Sequence, residues 1–162
     1  MPRNENEQGG VAKVSKLLSE NCIVFDIDAA KKQDVLMALV KELHAAGKIT
    51  DVNEFFEDVL AREAIAPTYV GFDMGLPHGK TDHVLEASVC FGRTKNPVAW
   101  TEDGETVDLV IMIAVPLSEA GNTHMKILAS LSRKLMHEEF RESLRNSSKE
   151  QVFAILTEVL EG

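Results

Sequence analysis

The chain has 162 residues, 44% of them apolar, with 26 acidic against 17 basic residues and a formal net charge of −9. That size supports one core without disulfide or metal staples, and the acidic balance repels a nucleic-acid backbone while attracting a basic protein partner. The longest apolar run, LVIMIAV at Leu109 to Val115, is well short of the roughly 20 residues of a spanning helix, no signal-peptide pattern precedes the fold, and Cys22 and Cys90 have no CxxC or Cys/His spacing, so a reducing cytoplasm is the expected setting.

Residues 1–10 (MPRNENEQGG) are polar and aperiodic and read as a flexible arm ahead of a single domain over 11–162. A short amphipathic piece, VAKVSKLL, leads into a strand over Cys22 to Ile27. Val35, Leu36, Leu39, Val40 and Leu43 then recur at helical spacing, with Gly47 as the stop. Asp51 is placed to cap a second helix whose buried stripe is Phe55, Phe56, Val59 and Leu60.

Pro67, Gly71, Gly75, Pro77 and Gly79 cut the next stretch into short extended pieces. Ala87 to Phe91 and Val107 to Val115 read as strands, the second apolar on both faces and therefore central. Between them, RTKNPVAWTEDGET is turn-rich and reads as a loop or irregular hairpin. The helical period returns over Thr123 to Met136, Glu138 to Arg145 and Ser148 to Leu160. Strands alternating with helices predict an α/β sandwich with helices on both faces of one sheet.

The chemistry concentrates in GLPHGK, Gly75 to Lys80. Pro77 holds Leu76 extended, which places His78 at a strand end; Gly79 permits close backbone approach, and Lys80 supplies a nearby cation. A neutral imidazole has one nitrogen with a lone pair, and a backbone carbonyl holding the other as N–H would fix the tautomer for nucleophilic attack on phosphorus. The same three residues also suit a turn histidine with no chemical role. His124, at the start of the helix opening at Asn122 or Thr123, shares a stripe with Leu128, Leu131 and Leu135. It fits either a half-buried site residue beside anion-favouring N–H groups or a core histidine. Arg62, near the end of the second helix, fits either a phosphoryl-binding fork or a solvated surface arginine.

His44, His83 and His137 read as surface residues, and Cys90 as a small core residue. A metal site at His78, His83 and Asp82 is a poor ligand set, so no metal is expected. With no GxxxxGK[ST] or GxSxG signature, neither nucleotide-driven phosphorylation nor serine hydrolysis has support, and no cofactor is expected.

AREAIAPT (Ala61 to Thr68), GLPHGK, FGRTKNPVAW (Phe91 to Trp100), DLVIMIAVP (Asp108 to Pro116) and THMKILASLSRKL (Thr123 to Leu135) together resemble the enzyme IIA domain of the phosphoenolpyruvate-dependent sugar phosphotransferase system, fructose/mannitol superfamily. The likeness runs from about Ser15 to the C-terminus, and FGRTKNPVAW with IAVP looks more like the fructose branch. It implies a mixed parallel/antiparallel sheet of about five strands in a three-layer sandwich. It also implies that His78 is the phosphorylated nucleophile, His124 its active-site neighbour and Arg62 its phosphoryl and conformational support, aided by Gly79 and Lys80. The implied role is that of a cytoplasmic phosphoryl carrier between the phosphocarrier protein HPr and a cysteine of the cognate enzyme IIB, without nucleotide or metal. A regulatory IIA-like protein, controlled by the same histidine, is the alternative. Where many relatives have TGIGNGIAIPHG, this chain has TYVGFDMGLPHG, so Tyr69, Phe72 and Asp73 are expected to make the pocket rim bulkier and more acidic.

Overall fold

Strand β1, Leu18–Ile27, is the first long element in a computed structural model that describes residues 12–119 and 123–161. The arm expected over 1–10 lies outside the described residues. β1 begins at Leu18 rather than Cys22 because Leu18 already pairs with Val89, and a register irregularity before Ile23 absorbs the polar residues between them.

Helix α1, Lys32–Ala45, buries Val35, Leu36, Leu39, Val40 and Leu43, the predicted stripe. It ends as expected. Gly47 takes φ +76°, and the N–H groups of Gly47 and Lys48 reach back to the His44 and Leu43 carbonyls, a left-handed glycine cap. Helix α2, Val52–Ile65, buries Phe55, Val59 and Glu63, while Phe56 and Leu60 are only partly covered. Asp51 stands at the N-cap position without a side-chain capping bond, contrary to expectation; its backbone carbonyl instead accepts the Phe55 N–H.

The chain continues through β2 (Tyr69–Gly71), β3 (Met74–Gly75), β4 (His78–Thr81), β5 (Ser88–Ala99) and β6 (Thr106–Pro116). The sheet runs β1-β5-β6-β3-β2, with β4 also on β6. β3 and β4 pair with β6 in parallel at one constant offset, Met74 with Leu109, Gly75 with Val110 and His78 with Ile113. They are two halves of one lane, broken at Leu76 and Pro77. β1 runs parallel to β5, whereas β5 with β6 and β2 with β3 are antiparallel, so the sheet is mixed.

Residues 93–99, read as part of a loop or irregular hairpin, extend β5 and pair back onto β6, which makes the stretch an irregular hairpin. This part of β5 outruns β1, whose last pairing is Ile27 with Thr94, and its register on β6 shifts between Arg93 and Val98. A proline without an N–H is tolerated at such an edge, so Pro97 does not end the strand.

The pleat assigns the helices to faces. A Cβ at Gly92 would lie 2.9 Å from Ile27 Cδ1 and 3.0 Å from Leu39 Cδ2, and one at Gly79 would lie 3.0 Å from Phe55 Cε1, so α1 and α2 cover one face. Arg93, pointing the other way, donates to the Leu144 and Ser147 carbonyls around the end of α4, Glu138–Asn146. Helices α3 (Thr123–Leu135) and α5 (Lys149–Glu161) pack with α4 on that second face. The result is a three-layer α/β sandwich. Its centre is β6, buried continuously from Leu109 to Val115. On α3, Ile127, Leu131 and Leu135 are buried while Leu128 is only partly covered, so Ile127 takes the core position predicted for Leu128.

Candidate active site

Pro77 has no N–H to give a neighbouring strand, which breaks the β3–β4 lane just before the histidine. Its carbonyl accepts the Ile113 N–H at 3.0 Å, and regular pairing resumes at His78. The half-buried His78 ring places Nδ1 3.1 Å from the Leu76 carbonyl oxygen. A carbonyl only accepts, so a hydrogen bond at this contact requires the proton on Nδ1, and a neutral ring in that tautomer has its lone pair on Nε2.

Lys80 alternates to the same face of β4 as His78 and is exposed. Gly79 faces the other way. It lies under Phe55 and Val59 of α2 and does not take positive φ, so packing rather than ligand approach requires glycine there. Arg62 is half-buried on α2, and its Nη1 donates to the Ala66 carbonyl at 3.0 Å, satisfying the end of its own helix. His124 is the second residue of α3, and its side chain lies outside the described residues. The backbone nonetheless brings α3 toward the same end of the sheet as β4: Thr81 pairs with Pro116, and the Leu117 N–H donates to the Thr81 carbonyl on the way to α3.

A buried ion cluster beside this lane was not singled out from the sequence. Glu63, 6% exposed, pairs with Lys32 Nζ at 2.7 Å and accepts both the Thr68 N–H, at 3.1 Å, and the Thr68 hydroxyl. Lys32 also donates to the Trp100 carbonyl at 3.2 Å and lies 4.7 Å from the centre of its ring. The available signal was spacing: Glu63 falls four residues after Val59 on the stripe that faces the sheet, where a carboxylate needs partners.

Phe72 and Asp73 do not line the rim expected of them. Asp73 accepts the Asp108 N–H, whereas His78 pairs with Ile113, so about 16 Å of strand separates the two positions. Phe72 and Asp73 form the β2–β3 turn, both with left-handed φ (55° and 62°), and are tied to α4. Arg145 donates to the Phe72 carbonyl at 2.6 Å and forks onto Asp108, and Arg141 stacks 3.7 Å from the Phe72 ring centre. Of the other histidines, His44 and His137 are exposed as expected, but His83 is engaged by Asp58 at 2.6 Å and Glu54 at 3.4 Å. The Asp58 hydrogen bond holds the His83 imidazole above its ordinary pKa. Among the described residues no cluster of three or more His, Cys, Asp or Glu side chains is disposed to hold a metal, and no helix is long and apolar enough to cross a membrane.

This mixed sheet between two helical layers is the fold of the sugar phosphotransferase IIA domains. The structure superimposes with a TM-score of 0.79 on the nitrogen regulatory protein IIA-Ntr of Neisseria meningitidis, 32% identical, covering 86% of this chain and 96% of that one. It also matches the complex of enzyme IIAMTL with phosphorylated enzyme IIBMTL from Escherichia coli, with a TM-score of 0.74 and 28% identity over 90% of this chain and 98% of that one. The chain belongs to the phosphoenolpyruvate-dependent sugar phosphotransferase system EIIA 2 family, whose model matches residues 16–159. It is 35% identical over 153 residues to the fructose-specific EIIA component of Haloferax volcanii, covering 93% of this chain and 99% of that protein. By contrast, it spans only 17–22% of the length of three other curated relatives it matches.

Proposed function

We propose that this domain carries a phosphoryl group on Nε2 of His78, taking it from phospho-HPr and passing it to a cysteine of a cognate enzyme IIB. The supporting observation is the bond from Nδ1–H to the Leu76 carbonyl, which leaves the nucleophilic lone pair on Nε2. In the first step that lone pair forms a P–N bond while the donor's bond to phosphorus breaks and its electron pair returns to the donor. In the second, a thiolate attacks phosphorus in line and the His78–phosphorus bond breaks, restoring the neutral ring. Positioning and charge stabilisation supply most of the catalysis in such transfers. Lys80 provides a cation on the histidine's face of β4. Arg62 is assigned to hold phosphoryl oxygens on the family resemblance; among the described residues its Nη1 donates to the Ala66 carbonyl, and its other donors are available for such a group. His124 and the Gly79 backbone are assigned to support the bound group, with no metal or nucleotide.

Similarity to a fructose-specific EIIA component supports fructose or a related sugar as the transported substrate, and the solved IIAMTL–IIBMTL complex supports an enzyme IIB acceptor, met in the cytoplasm. The chain's acidity suits a basic docking face on HPr. A regulatory role, in which phosphorylation of His78 controls binding to a target protein, is favoured by the 32% identity to IIA-Ntr. Transfer of labelled phosphate to an enzyme IIB cysteine supports transport; efficient loading with no IIB acceptor supports regulation.

Incubation with enzyme I, HPr and phosphoenolpyruvate, followed by mass spectrometry, should locate the group on His78. His78→Ala should abolish labelling while preserving the fold, and stable labelling of that variant would refute the assignment. His124→Ala should accept phosphate but transfer it more slowly; wild-type rates would return His124 to a core role.

A further inference from the structure

We propose that Glu63 is a positioning residue for His78, acting through Thr68 and the Leu76 carbonyl; this rests on the reading of His78 as phosphoryl acceptor. The Glu63 carboxylate takes both donors of Thr68, the backbone N–H and the hydroxyl, and is itself held by Lys32. Thr68 is thereby clamped at two points immediately before β2. Its carbonyl accepts the Leu76 N–H at 2.9 Å, and the Leu76 carbonyl in turn accepts Nδ1–H of His78 at 3.1 Å.

Leu76 uses its N–H and its carbonyl in peptide units on opposite sides of its Cα. The link is therefore a constraint on direction and not a polarised chain. Pro77 completes it, because the residue before a proline is confined to extended conformations and Leu76 cannot rotate to re-aim its carbonyl. With that carbonyl held, the tautomer protonated on Nε2 would turn its Nδ1 lone pair against the oxygen. It would also have no lone pair at the attacking nitrogen. The fraction of His78 in the Nδ1–H form is thus the fraction competent for attack, and Glu63 holds that fraction high from the far side of the broken lane.

The test pairs imidazole ¹⁵N NMR of the unphosphorylated protein with single-turnover phosphoryl transfer from phospho-HPr. Thr68→Val keeps Glu63 and Lys32 paired but removes the hydroxyl. It should shift His78 toward a mixture of tautomers and slow phosphoryl acceptance on the order of tenfold, with KM for phospho-HPr unchanged. Thr68→Ser retains the hydroxyl and should restore both. Glu63→Gln should resemble Thr68→Val; if leaving Lys32 unpaired prevents it from folding, the threonine pair decides. A folded Thr68→Val protein with the wild-type tautomer ratio overturns the proposal, whether or not its rate falls. Failure of wild-type His78 to accept phosphate would instead overturn the carrier reading, while the NMR comparison would still decide the positioning link.

Discussion

Replacing Gly75 by alanine tests the packing of the lane that carries His78. A Cβ there would lie 2.9 Å from both Cε2 and Nε1 of Trp100 and 3.1 Å from Cζ2. Carbon atoms settle at about 3.5–4.0 Å, so the indole must retreat by about 0.5 Å or more. It has little room to do so. Trp100 is 3% exposed, and the Lys32 ammonium, fastened to Glu63, lies against its ring. Gly75 does not have positive φ, so the cost is steric, about 1–3 kcal/mol for an overpacked core. Trp100 is the chain's one tryptophan, so its fluorescence reports urea unfolding directly. With a slope of about 2 kcal/mol/M, the midpoint should fall by roughly 0.5–1.5 M with the slope unchanged. Gly47→Ala makes a useful contrast, since its Cβ meets open space and its cost of about 1 kcal/mol comes from left-handed strain alone. In Gly75→Ala combined with Trp100→Phe, followed by circular dichroism, the two costs should be less than additive. An unchanged or raised midpoint for Gly75→Ala would refute the reasoning.

The raised His83 pKa stabilises the fold in a defined pH window. A group whose pKa rises on folding contributes fully below its unfolded value, about 6.5, and loses that contribution as pH climbs through the higher folded value. The stability gap between wild type and His83→Gln should therefore be larger near about pH 6 than near about pH 9 in denaturant titrations; parallel pH profiles would count against the Asp58 pairing. Arg145→Lys replaces a fork with a point charge at Asp108 and the Phe72 carbonyl, and should cost about 1–3 kcal/mol. The same change should speed hydrogen exchange at the Asp108 amide, whose partner is the Asp73 carbonyl; unaltered exchange would show that Arg145 does not hold the turn.

Helix stripes were legible wherever burial follows a local period. The α1 stripe and its glycine stop appear as predicted, and so does the buried run of β6. Elsewhere a long-range partner decides between readings that the local signal leaves open. Of the loop or irregular hairpin read after Phe91, the pairing edge of β6 selects the hairpin, with a register shift between Arg93 and Val98. Leu128 and Ile127 both fit a helical stripe, and the angle at which α3 lies decides that Ile127 is buried.

By itself the sequence determined the alternation of layers, the central apolar strand and the extended approach through Leu76 and Pro77 to the histidine, because periodicity and proline geometry act over a few residues. His78, expected where a strand ends, instead opens β4. Only the tertiary structure decided that β3 and β4 share one lane on β6. That register puts the Phe72–Asp73 turn at the opposite end from His78. The closed chain also gathers Lys32, the Glu63–Thr68 stretch and Trp100 from three separate segments. Such choices depend on strand offset and on the partners of buried charge, which residues distant in sequence settle only when the chain closes on itself.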